Sequence, residues 1–241
     1  MTTPLSAPDQ AVQDAAIKFA RANKRSIIDR LADPAEHPPE LEPVAVFMAG
    51  SPGAGKTEAS IELLAEFADS NVVRIDPDEL RGEFPGYTGD NSWLFQPAVS
   101  ILVDHLLDRV FKQKNSFLLD GTLSNLAVAR RNIQRSLRHN RFVQILYVYQ
   151  QPMQAWEFVK AREISEGRRI RGSDFVDQYF AARNVVNALK AEFGRKIKVD
   201  LLLKNMDNSD RKYHAGVQNI DHHIPEQFTR RYVESWVAMS T

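Results

Sequence analysis

The sequence has no cysteine. A disulfide framework, a thiol nucleophile and a thiolate-bound zinc or iron–sulfur centre are therefore excluded. It has no excess of either charge. The 31 Lys and Arg balance 31 Asp and Glu, which gives no support to a nucleic-acid partner beyond a local basic patch. It has no apolar run near the ~20 residues of a membrane span. The stretch from Met1 to Gln10 lacks the basic-then-apolar plan of a signal peptide. A cytoplasmic protein without a membrane partner is the expectation. There is no internal repeat and no long low-complexity tract.

What is there is enough for a substantial core. The 241 residues, 43% of them hydrophobic, suit one large domain or two small ones. One composition break divides the chain: Asp33 to Glu40 holds three prolines, which oppose helix and read as an extended connection. Residues 9–31 before it have a helical pattern, with Val12, Ala16, Phe19 and Ala20 near one face. The expected organisation is a helical extension and Pro-rich linker over 1–40, then a main domain over 41–241.

Past the linker, short apolar runs alternate with helical patterns. Strands are expected at 44–49, 71–76, 116–120, 142–148 and 199–204. Helices are expected near 56–68, 92–113, 124–139, 152–166 and 173–193. That alternation means βαβ units: an α/β fold with a parallel sheet flanked by helices. Ligands of such sheets sit at the carboxyl ends of the strands, where Gly50, Asp76 and Asp120 fall.

Gly50-Ser51-Pro52-Gly53-Ala54-Gly55-Lys56-Thr57 matches the P-loop pattern G-x-x-x-x-G-K-[ST], with a strand before it and a helix after it. Glycines let the backbone curl so that its N–H groups face phosphate oxygens, and the helix start adds its positive end. Lys56 is expected on the β- and γ-phosphates and the Thr57 hydroxyl on Mg²⁺. The motif implies ATP or GTP with Mg²⁺.

Three further groups carry chemistry. Ile75-Asp76-Pro77-Asp78-Glu79-Leu80-Arg81 puts acids after the second strand. One could take a proton from an acceptor hydroxyl; alternatively Asp76 or Asp78 caps a helix with Pro77 in its first turn. If neighbouring strands pair, these acids lie beside the P-loop strand. Asp120-Gly121-Thr122 ends the third strand at a position suited to Mg²⁺, or forms a plain turn. Arg162, Arg168, Arg169 and Arg171 surround Gly167, as a lid over phosphates or as a solvated loop. A second basic run, with Arg131, Arg135 and Arg138 on one helical face, reads as a solvated face or a holder of an acidic partner. His222 and His223 read as surface residues.

The order strand–GSPGAGKT–helix–RIDPDELR–PGY–LLDGT–arginine-rich segment resembles the zeta toxin family of P-loop kinases from about Val44 to Asp207. The run Val73 to Tyr87 is its most specific part. The resemblance implies a toxin of a toxin–antitoxin system that moves the γ-phosphate of ATP or GTP to the 3′-hydroxyl of UDP-N-acetylglucosamine. It makes Asp78 the base, Lys56 the phosphate lysine, and Arg162 with Arg171 the lid arginines, Arg169 being a rival to Arg171. Asp120, Gly121 and Thr122 match the family's acidic-Gly-Thr motif, with Asp where Glu is frequent. Asp76, Arg81 and Thr122 are then expected at the acceptor, and Asn205, after the fifth strand, at the nucleobase. Ser124 stands where the family often has Arg, and the Glu166–Arg171 lid is short; both bear on the acceptor. An antitoxin partner is implied, and the helix before Glu40 could serve as a built-in inhibitor over the nucleotide site. The remaining alternatives are a kinase of another metabolite, nucleoside or antibiotic, and a nucleotide-gated regulatory protein.

Overall fold

A strand with apolar residues on both sides needs cover on both sides, and that requirement places most of this chain. The computed structural model describes residues 5–66, 71–204, 211–225 and 227–240. Helix α1 (Ala7–Leu31) precedes strand β1 (Val44–Ala49), helix α2 (Lys56–Glu66), strand β2 (Val73–Ile75) and the short helix α3 (Pro77–Arg81). Helix α4 (Gln96–Gln113), strand β3 (Phe117–Leu119), helix α5 (Leu126–Arg138) and strand β4 (Phe142–Tyr149) follow. Then come α6 (Pro152–Glu166), α7 (Gly172–Phe193), β5 (Lys198–Lys204), β6 (Arg211–His214) and α8 (Arg230–Met239).

The strands lie in the order β2-β3-β1-β4-β5-β6. The first five are parallel, as the alternation of patterns predicts, and β6 runs antiparallel to β5 at the edge. Side chains alternate across β1. Ala45, Phe47 and Ala49 enter the large core shared with α4, α5 and α7, while Met48 faces a smaller core with Ala59 of α2. One expectation is corrected by the topology. β2 does not pair with the P-loop strand, because β3 intervenes: Ala45 opposes Phe117, and Phe117 opposes Val73.

Helix α1 is seated away from the strand ends. Ala16, Ala20 and Ile27 form a core with Leu80 after β2 and with Phe84, Phe95, Ala98 and Leu102 leading into and along α4. Small residues let the two helices approach, and Arg30 holds both carboxylate oxygens of Glu83 at 2.7 Å. No described residue of α1 lines the cleft at the strand ends, so the expectation of a helix covering the nucleotide site is not met in this structure. The Pro-rich stretch is pinned as well. Asn115 Nδ2 donates to His37 O at 2.7 Å, and Ser116 Oγ donates to Glu40 at 2.6 Å.

The basic face of α5 finds its acids inside the chain. Arg131 bonds Asp104 at 2.5 Å and Arg135 bonds Asp108, both on α4. Among the described residues, no helix is long and apolar enough to cross a membrane.

Candidate active site

The carboxyl ends of β1, β2, β3 and β4 open into one cleft of about 1080 Å³. Its floor is the loop 50–57. Gly53 has φ +71°, and a Cβ there would collide with the carbonyl oxygen of Ala155. Glycine is thus required both for the left-handed turn and for the close approach of α6. Thr122 O accepts the Gly50 N–H at 3.2 Å, tying the loop to the segment after β3. Lys56 opens α2 and turns its ammonium back onto Ser51 O at 2.7 Å. Burial pulls Lys56 down to about 8, against the opposing pull of Asp120 and Asp78, with Arg168 and Arg162 adding to the lowering. An ammonium held by one backbone carbonyl is poised to exchange it for phosphate oxygens.

Asp76 and Asp78 separate into two roles. Asp76 caps α3, accepting the Asp78 N–H at 2.8 Å, and takes an ion pair from Arg74 at 2.6 Å. It is buried and does not line the cleft in which an acceptor contact is expected of it; its bonds serve the start of α3 and Arg74. Pro77 at the first helical position, with no N–H to satisfy, fits that cap. Asp78 does line the cleft. It bonds Arg81 and, at 2.7 Å, Nη1 of Arg168. Burial pushes its carboxyl up, but Arg168 and Arg81, with Lys56 and Arg162 beyond them, outweigh that and hold it below the usual carboxylate range.

Asp120 sits between these groups. Its Oδ2 accepts from Ser60 Oγ at 3.0 Å and from Arg74 at 2.9 Å. Thr122 Oγ1 lies 2.9 Å from Ser124 Oγ. Asp120, Thr122 and Thr57 all line the cleft. Thr57 and Asp120 are hard oxygen donors beside a phosphate loop. That set suits Mg²⁺, which takes one or two protein oxygens and completes its shell with phosphates and water.

The arginine segment crosses the cleft as a loop between α6 and α7. Gly167, at φ +70°, ends α6 and reverses the chain. Arg169 N–H meets Gly89 O at 3.4 Å and Ser92 Oγ donates to Arg169 O at 3.0 Å, so the loop docks on residues 89–92. Arg162 lines the cleft and pairs with Glu166 at 3.1 Å. Arg171 pairs with Asp174 at 2.7 Å and stacks 5.5 Å from the Trp93 ring. Arg169 reaches Glu163 at 3.7 Å and is exposed. The arginine of this loop that touches Asp78 is Arg168, which sequence reasoning placed in the cluster but did not single out. Lys204, also missed, donates from Nζ to Gly55 O at 3.1 Å. Asn205, the expected base contact, lies outside the described residues. His214 and His223 rings sit 4.7 Å apart far along the chain from these groups, and among the described residues no three metal-binding side chains gather.

A glycine loop between strand and helix, a lysine opening that helix and a crossing arginine loop define the class: a P-loop protein with a kinase-type α/β fold. The family model of the zeta toxin matches residues 28–218. The chain belongs to the zeta toxin family.

Solved structures share the fold. One comes from the PezAT chromosomal toxin–antitoxin system of Streptococcus pneumoniae, with 17% identity, 98% of this chain and 94% of that chain covered, and a TM-score of 0.60. Another is the AvrRxo1-ORF1:-ORF2 complex, with 16% identity, 92% and 78% coverage, and a TM-score of 0.64. The same pair with ATP gives 16% identity, 90% and 71% coverage, and a TM-score of 0.58. Among curated proteins there is no match.

Proposed function

We propose that the protein is a kinase of the toxin–antitoxin type that transfers the γ-phosphate of ATP or GTP to a hydroxyl of a sugar nucleotide, with the 3′-hydroxyl of UDP-N-acetylglucosamine as first candidate. The observation that carries this reading is Asp78: a carboxylate facing the phosphate-loop cleft and gripped by an arginine of the crossing loop.

In this reading the triphosphate enters the loop 50–57 and takes Lys56 from Ser51 O. Arg168 leaves Asp78 for the γ-phosphate, which frees the carboxylate to accept the acceptor proton. The acceptor oxygen bonds to the γ-phosphorus, the bond to the bridging oxygen breaks, and the nucleoside diphosphate leaves. Lys56, Arg162 and Arg168 offset the charge that spreads over the transferring group. Arg81 and Arg171 line the same cleft, Arg81 for the acceptor and Arg171 as a further lid arginine. Mg²⁺, held by Thr57 and Asp120 together with the phosphates, would supply further charge neutralisation.

The toxin–antitoxin system from which one fold neighbour comes supports an antitoxin partner. Helix α1 packs on α4 and does not take that partner's place over the cleft. Such a kinase would work in the cytoplasm, where its nucleotide is. Ser124 bonded to Thr122 favours a second reading in which the acceptor is another hydroxylated metabolite. The test is mass spectrometry of UDP-N-acetylglucosamine after incubation with protein, Mg²⁺ and ATP. A product heavier by one phosphate, absent with Lys56→Ala, supports the reading. Absence of product with nucleotide binding intact moves the acceptor elsewhere.

A further inference from the structure

Phe158 is a large apolar side chain left 39% exposed in a cleft that also holds Lys56, Asp78, Arg162 and Arg168. Its surroundings explain why it is kept there. On α6, Ala155, Trp156 and Val159 pack inward. Phe158, Ala161, Arg162 and Ser165 line the cleft, and their spacing of three, four and seven residues is that of a single helical face.

That face is registered on the phosphate loop. The Ala155 carbonyl blocks any side chain at Gly53, and Val159 Cγ2 lies 3.1 Å from the same point. Arg162 is at the Asp78 end of the stripe, where its charge acts on Asp78 and Lys56. Phe158 is one turn back, toward the start of α6. Glu58 interacts with both Arg162 and Lys204, and Lys204 reaches Gly55 O at 3.1 Å. The cradle therefore has two ends. Asp78 and the acceptor side lie at one end. Phe158, well back along α6 from the Gly167 turn that carries Arg168 to Asp78, lies toward the other. A triphosphate seated between them with its γ-phosphate toward Asp78 sends its base to the second end.

We infer that Phe158 is the platform on which the nucleobase stacks, and that the ring face rather than the ring edge carries the contact, so adenine and guanine are held alike. This rests on the nucleotide-binding reading above. A purine on the phenyl face buries apolar area that is otherwise wet, and any base offers such a face.

The experiment is calorimetric titration of the full chain with ATP, GTP and inorganic tripolyphosphate. Phe158→Ala is expected to weaken ATP and GTP by the same factor, about tenfold or more, and to leave tripolyphosphate unchanged. Phe158→Tyr should keep wild-type affinity for all three. The inference is overturned if Phe158→Ala shifts both nucleotides by less than twofold, changes the ATP-to-GTP ratio, or weakens tripolyphosphate equally. Wild-type protein that binds none of the three would overturn the phosphate-loop reading along with it, whereas loss of the platform alone leaves tripolyphosphate binding in place.

Discussion

Arg168 Nη1 lies 2.7 Å from Asp78 Oδ2 across the cleft, joining the loop after α6 to the helix start after β2. With Arg81 on the other carboxylate oxygen, Asp78 is an ionised acceptor with both oxygens occupied. A nucleotide that attracts Arg168 would unmask it. The same contact thus links occupation of the phosphate site to availability of the proton acceptor.

Replacing Arg168 should therefore do two things. Turnover should fall by about 10²-fold, the size of effect seen when one charge-stabilising donor is lost. The acid limb of kcat/KM should also move to higher pH. Asp78 is held below the usual range by Arg168 first and Arg81 next, with Lys56 and Arg162 contributing. Removing Arg168 lets it take up a proton earlier as pH falls. A pH–rate profile of Arg168→Ala with an unmoved acid limb would break the link between the two residues.

Asp78→Asn should lower kcat by 10²–10⁴-fold, the usual range for general acid–base groups, while nucleotide affinity stays near wild type. Calorimetry and steady-state kinetics separate the two. If turnover survives, the proton acceptor is Asp120, because Asp76 does not line the cleft.

Lys56 gives a prediction on the alkaline side. Burial brings it to about 8 in the nucleotide-free protein, so triphosphate affinity should be flat below pH 8 and fall above it. Folding shows the opposite sign. Between pH 8 and the ordinary lysine value the unfolded chain binds more protons at this site than the folded one, so this site's contribution to stability rises with pH. Titrations at pH 7 and 9.5 check the first statement, and denaturant midpoints of wild type and Lys56→Met check the second. Lys56→Ala should abolish turnover at both pH values.

How much of this was legible beforehand follows from which signals are local. Five strands and six long helices announce themselves by periodicity, because their burial is set within each segment. β6 does not: Arg-Lys-Tyr-His is polar, and it becomes a strand only because β5 offers it an open edge. α8 has just Val233 and Val237 buried, four residues apart, too thin a stripe to read. In the site, Lys56, Thr57, Asp78 and Asp120 are legible because each stands in a contiguous motif. Arg168 is not. Four arginines share one segment, and which of them meets Asp78 depends on how Gly167 turns the chain and how Ser92 and Gly89 dock it. The alternative reading of Asp76 as a helix cap is the one the geometry supports, since its hydrogen-bonding capacity goes to the Asp78 N–H and to Arg74.

Asp76→Ala should accordingly act on stability more than on chemistry. It removes an N-cap, worth about 1 kcal/mol, and one of the partners of the half-buried Arg74, which also bonds Asp120 and Glu79. A loss of about 1–3 kcal/mol in urea unfolding is expected, with kcat reduced far less than in Asp78→Asn. A kcat loss equal to that of Asp78→Asn would place Asp76 in the reaction.

Gly53→Ala tests whether α6 and the phosphate loop act as one unit. The φ of +71° alone makes a side chain unfavourable there by roughly 1 kcal/mol. The larger effect is steric. The new methyl would enter the space of the Ala155 carbonyl, which belongs to the first turn of α6 and cannot rotate away as a side chain would. Relief requires α6 to shift, and α6 carries Phe158 and Arg162 on its cleft face and leads directly into Arg168. Affinity for tripolyphosphate and for ATP should therefore both fall, by tenfold or more, while the urea midpoint drops only modestly. Phe158→Ala, in contrast, should spare tripolyphosphate. If Gly53→Ala binds tripolyphosphate as wild type does, the loop holds its shape without α6, and the stripe on that helix is not registered on the phosphates.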